Sequence, residues 1–190
     1  MTTKKQKIKL EQFKKLWKTK KAIAEIENVE LWQEIIWYYR TRTHKPKWSI
    51  TWKDIAHRVF SEYVRLYYAD DYWYCTCITC GVKLFWTDIQ AWHFIKRLIL
   101  KYTYDITNVY PQCAWCNVML NGNYIKYTLE MIKRLGKTEV EKRINDKETT
   151  ELKQYQYEEM ILNWYEFICE KKKKIWQNQK QGVEYTTKTE

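Results

Sequence analysis

Glycine and proline, the residues that most often interrupt helices, are scarce here: 4 Gly and 2 Pro among 190 residues. That scarcity argues against a turn-rich all-β architecture and for helices. No stretch approaches the roughly eighteen uninterrupted apolar residues of a membrane-spanning helix, so no span and no membrane partner are expected. The opening MTTKKQKIKLEQFKKLWKTKK has charge but lacks the apolar run of a secretory signal. The expectation is a protein of the reducing cytoplasm. Acidic residues are outnumbered 23 to 34 by Lys and Arg, a net charge of +11. Such a surplus favours a polyanionic partner, because each neutralised phosphate releases condensed counterions. A basic surface that only maintains solubility gives the same total. Histidine is rarer still, at three residues.

Aromatics are abundant, with 11 Trp and 16 Tyr. That is more than one small core requires, and fits rings that stack on bases or line a groove. The length suits one compact domain with appendages. Residues 1–50 read as a basic N-terminal helical arm, with Leu31, Ile35, Tyr38 and Tyr39 at helical spacing and a break at Pro46. Ile55, Val59, Tyr63 and Leu66 predict an amphipathic helix from Thr51, a plausible N-cap, to about Ala69. Short strands are expected near 82–86 and 90–95, and a helix from Asn117 to Gly136. A last helix is expected over about 150–174, its Lys171 to Lys174 complementing the macrodipole, before a polar tail at 175–190 that reads as disordered. The fold class is α+β, mostly helical, with the functional domain at 51–174.

Six cysteines in a reducing compartment point to metal. Cys77 and Cys80 form one C-x-x-C and Cys113 and Cys116 a second. Two such pairs across one folded insertion can set four thiolates tetrahedrally around Zn²⁺, whereas a redox dithiol needs only one pair. Gly81 suits the tight turn of the first knuckle. Cys75 is a poor ligand so close to Cys77, and Cys169 reads as a buried small hydrophobe.

One of the three histidines, His93, lies between the pairs. The order becomes Cys77-x-x-Cys80, His93, Asn108, Cys113-x-x-Cys116-Asn117. This order resembles the HNH, or ββα-metal, nuclease finger, here spanning about 75–136. The resemblance implies that zinc clamps a hairpin to a helix and that His93 is the general base activating water. It implies further that Asn108 orients the hairpin through backbone hydrogen bonds, and that Asn117 gives an oxygen to a catalytic Mg²⁺ or Mn²⁺. A neutral imidazole and a hard cation with oxygen ligands suit phosphodiester hydrolysis.

The resemblance narrows to the NinG/Rap family of phage recombination proteins, which act on branched DNA. It is carried by VFSEYVRLYYAD with its Arg65, by CITCG, by NVYPQCAWCNVMLNGN and by YTLEMIKRLGKTEVEKRI, over about residues 51–170. It implies an endonuclease of Holliday-junction or flap type acting on branched or single-stranded DNA, and leaves room for a homodimer. Gln90-Ala91-Trp92-His93 departs from the pattern: neither a small residue nor a carboxylate precedes the histidine, and Asp88 is the nearest acid. Lys96, Arg97, Lys101, Lys126, Lys133 and Arg134 are candidates to track a DNA backbone, Arg97 with a planar fork for the scissile phosphate. No stretch reads as a base-reading helix. The rivals are a non-catalytic zinc-finger DNA-binding module, a homing-type HNH endonuclease and a protein-docking surface.

Overall fold

A computed structural model describes residues 33–35, 50–97, 99–148 and 151–186, the last eight as backbone only. The chain divides into two compact units, Met1–Ile50 and Thr51–Glu190. In the first, residues 33–35 are helical; the rest of the expected arm and its Pro46 break lie outside the described residues.

The second unit opens with helix α1 (Trp52–Tyr67), which starts where expected and for the expected reason. The Thr51 hydroxyl accepts the Asp54 N–H at 3.2 Å, and the Asp54 carboxylate accepts the Thr51 N–H at 3.0 Å. This reciprocal box satisfies donors that a helix start leaves open. Beyond α1, the Asp70 carboxylate takes the N–H groups of Tyr72 and Tyr74 and turns the chain into β1 (Tyr74–Thr76). β1 pairs antiparallel with β2 (Lys83–Phe85), and the first knuckle closes the hairpin between them. Gly81 sits there at φ +75°, a conformation that costs a side chain, and its N–H bonds to the Cys77 carbonyl.

A second antiparallel pair joins β3 (Ile89–His93) to β4 (Val109–Cys113), with Ile89 opposite Cys113 and His93 opposite Val109. The loop between them carries a short helix, α2 (Leu100–Thr103). β1 and β4 were not expected from the sequence. β4 is buried along its whole length, so it has no polar alternation to betray it.

Past β4 the chain does not enter the long helix expected from Asn117. Trp115–Met119 forms one π-helical turn, followed by Asn121, Gly122 and Asn123, all left-handed. Helix α3 (Tyr124–Leu135) starts only then, and Gly136 at φ +84° joins it to α4 (Lys137–Asn145). The last helix, α5 (Gln154–Thr186), runs through much of the expected tail, so Lys171 to Lys174 lie within it and not at its end. It lies along α1 through Phe60–Trp164 and Tyr63–Phe167 ring contacts and a 2.6 Å pair between Lys172 and the buried Glu62. Among the described residues no helix is long and apolar enough to cross a membrane.

Strand alternation splits the β3–β4 ladder into two faces. Ala91 and Val109 pack with Phe60 and Val64 of α1. Trp92 and Tyr110 pack with Tyr127 and Met131 of α3. The ladder is thus buried between two helices, with the knuckle cysteines at one end.

Candidate functional site

The four-cysteine cluster is assembled by backbone. Ile78 N–H bonds to the Pro111 carbonyl at 3.0 Å, which holds the first knuckle against β4. The Sγ atoms of Cys77, Cys80, Cys113 and Cys116 then all fall within 4.8 Å of one another, and Cys80 and Cys113 approach to 3.7 Å. A tetrahedral zinc with Zn–S of about 2.3 Å has S···S edges of roughly 3.8 Å, so the spacing fits zinc and is far too long for a disulfide. Burial opposes ionisation of Cys77, yet hydrogen bonds from Thr79 and from backbone N–H groups draw its thiol down to about 6. Cys77 is thus the thiol that ionises most readily, while burial pushes the thiols of Cys80 and Cys113 up. Cys75 is buried apart from the cluster, donating to the Arg65 carbonyl, and desolvation pushes its thiol up to about 11. Cys169 is exposed on α5, not buried as its residue type suggested: it follows the buried Ile168, and the next helical position turns outward.

His93 is the last residue of β3. Its Nε2 lies 2.9 Å from the Thr103 carbonyl, which can only accept, so Nε2 carries the proton. Nδ1 keeps its lone pair and is buried without a hydrogen-bond partner. Burial, helped by the charges of Arg97 and His57, lowers the imidazole to about 4. It is neutral at pH 7, with a basic nitrogen of fixed tautomer. His57 of α1 shares these surroundings: desolvation, Arg97 and Lys53 hold it at about 4, and its ring packs 5.2 Å from Tyr104, the residue after Thr103.

The amide of Asn108 is fully buried and wholly committed to backbone. Oδ1 accepts the Ile95 N–H at 2.9 Å, and Nδ2 donates to the carbonyls of Ile95 and Tyr102. With the Phe94 N–H on the Asn108 carbonyl, this ties both ends of the 94–108 loop and so fixes Thr103 under His93. Arg143 of α4 braces the same loop through Asp105 and Thr107.

Asn117 stands elsewhere. It sits in the π-helical turn, and its Nδ2 donates to Oε1 of Gln90. Gln90 is three positions from His93, so the two side chains leave opposite faces of the ladder. The structure therefore groups His93 with Asn108, and Asn117 with Gln90. Nearby, the buried Gln112 donates to the Gly122 carbonyl at 2.7 Å and leaves Oε1 unpaired. Trp92 covers Gly122 so closely that a Cβ there would come within 2.8 Å of its Nε1.

For a catalytic Mg²⁺ or Mn²⁺, the Gln90–Asn117 pair offers amide oxygens, the right donor type but without charge. Among the described residues, the four cysteines are the only cluster of three or more His, Cys, Asp or Glu placed to hold a metal. Asp88 lies in the turn before β3, accepting from the Thr87 hydroxyl.

The expected DNA-facing cations divide too. Lys96, Arg97 and Lys126 are exposed. Lys101 pairs with Asp146 and Glu148, Lys133 pairs with Glu130, and Arg134 lies over the Tyr110 ring. Sequence reasoning missed Gln90, Thr103 and His57. Only His57 carried a signal, as one of three histidines and off the apolar stripe of its helix.

No curated protein and no solved structure matches the chain. The family model described as Bacteriophage Lambda NinG protein matches residues 2–178, well beyond the stretch whose motifs carried the resemblance and across both units; the chain belongs to the NinG family.

Proposed function

We propose that the chain is an HNH-type, metal-dependent endonuclease that cuts branched or single-stranded DNA during phage recombination. Membership of the phage NinG family supports the setting. The observation that carries the chemistry is His93. Its Nε2–H is held by the Thr103 carbonyl, and its buried Nδ1 keeps the unpaired lone pair that takes a proton from a water brought in with the substrate. Asn108 keeps that carbonyl in place, and Arg97, exposed just beyond the strand, clamps the scissile phosphate. Zinc in the four-cysteine cluster is structural, because a closed thiolate site leaves no open position. A bound Mg²⁺ or Mn²⁺ supplies charge stabilisation for the departing 3′ oxygen. Asn117 and Gln90 would hold it through neutral oxygens, with the substrate phosphate contributing the negative charge that the protein lacks.

A non-catalytic zinc-finger DNA-binding module is the second reading. It is favoured by one observation, the absence of a carboxylate from the Gln90–Asn117 pair. Incubation with labelled junction, flap and linear DNA, with and without Mg²⁺ or Mn²⁺, separates the two. Metal-dependent cutting of junction or flap, lost in His93→Ala, supports the nuclease. Binding without cutting in every condition supports the module.

A further inference from the structure

Helix α3 satisfies its packing with one side, where Tyr127 and Met131 are buried. Its outer positions Ile125 and Leu129 are exposed, Ile125 at 81%. The preceding turn shows the same pattern: Trp115, Val118, Met119 and Leu120 are all exposed, Met119 at 69%. Six large apolar side chains within fifteen residues thus face water, which a soluble domain avoids unless the surface is used. The turn that carries them is not free to move. Cys116 of the metal cluster and Asn117 of the candidate site lie between Trp115 and Val118.

Charge selects the occupant. The helix bearing this surface holds Lys126, Lys133 and Arg134 against one carboxylate, Glu130, in a chain of net charge +11. A second copy brings like charge to that contact, whereas a polyanion is attracted. Among polyanions, a regular duplex offers phosphates and sugars outward and hides its base faces by stacking. A branch point exposes base faces that have lost a stacking neighbour, and apolar side chains can cover them.

We propose that Trp115, Val118, Met119 and Ile125 form a wedge that docks against unstacked nucleobases at a DNA branch point. The wedge deepens, and rests on, the reading of a branched-DNA substrate. It makes substrate choice a matter of exposed base faces, set beside Asn117, the proposed metal ligand.

The test uses full-length protein with zinc and no added Mg²⁺ or Mn²⁺, so that binding is read apart from cutting. The probes are a four-way junction with 2-aminopurine at the branch point and a linear duplex of equal length. Wild type should bind the junction more tightly and change the 2-aminopurine fluorescence. The triple variant Val118→Ser, Met119→Ser, Ile125→Ser should lose about tenfold or more in junction affinity, together with the fluorescence change. Its duplex affinity and salt dependence should stay as in wild type. Equal loss on both DNAs, no loss on either, or no junction binding by wild type overturns the wedge. So does a dimer that becomes monomeric in the variant, since the surface is then a self-association interface. Junction-selective binding without cutting by the metal-supplemented protein leaves the wedge standing and removes the nuclease. Cutting with an indifferent triple variant does the reverse.

Discussion

The two faces of the β3–β4 ladder are built from the same ten residues and carry different chemistry. Towards α1 the ladder turns His93, with His57 sharing its surroundings and Arg97 close by. Towards α3 it turns Gln90, Gln112 and Trp92, with Asn117 hydrogen-bonded to Gln90. One face holds a base kept neutral by burial; the other holds neutral amides. The proposed base and the proposed metal ligand are thus on opposite sides of a two-stranded sheet. Gln90 pairs next to the cysteine end and His93 is the last paired residue at the other, so the folded chain as it stands does not bring the two to one phosphate. The four-cysteine cluster closes the Gln90 end and keeps the two faces in register, since Cys113 pairs with Ile89.

Breaking that shared frame should have the largest effect. Cys77→Ser should abolish a zinc content of about one equivalent and with it the folded state of the second unit, because structural zinc contributes on the order of 10 kcal/mol to small finger frames. Elemental analysis and circular dichroism read this, and a folded, zinc-free variant would refute it. Asn108→Ala comes next. It strips partners from the Ile95 N–H and from two carbonyls, and should cost about 3 kcal/mol or more in urea unfolding, with cutting lost alongside.

The two faces separate in the next test. His93→Ala should keep zinc and fold while cutting falls by about two or more orders of magnitude. Asn117→Ala should also lose activity, but raised Mg²⁺ or Mn²⁺ should partly restore it. Identical metal titrations for the two variants would show that the faces do not divide the labour.

Acid sharpens the contrast, since the α1 face carries both histidines. His93 and His57 are held at about 4 in the folded chain, against 6.5 for an unperturbed imidazole. Between those values the unfolded chain binds more protons, so stability rises with pH through this window and is lost as pH falls from 6.5 towards 4. Urea midpoints should drop over that interval. Phe replacing both histidines should flatten the drop, and an unchanged slope would mean that neither imidazole is buried as described. The smallest effect concerns the surface. Lys101→Ala should leave the urea midpoint nearly unchanged and barely alter DNA affinity, because Asp146 and Glu148 already neutralise it. Lys126→Ala should lower affinity and reduce the salt slope by about one.

What could be read along the chain was whatever depends on near neighbours. The C-x-x-C spacing brings two thiols together within one knuckle, and Thr51 with Asp54 makes a cap three residues long. The order of His93, Asn108 and the second cysteine pair carried the family resemblance for the same reason, since motif spacing survives in one dimension. Tertiary structure decided what depends on register and on backbone. Which way His93 and Gln90 face is set by pairing with β4, sixteen or more residues away, and a one-residue slip would exchange them. The partner that fixes the tautomer of His93 is a backbone carbonyl, which every residue possesses, so nothing in the identity of Thr103 marks it. Lys101 was legible as a cation, but its neutralisation comes from Asp146, 45 residues on, and only the folded chain brings the two charges together.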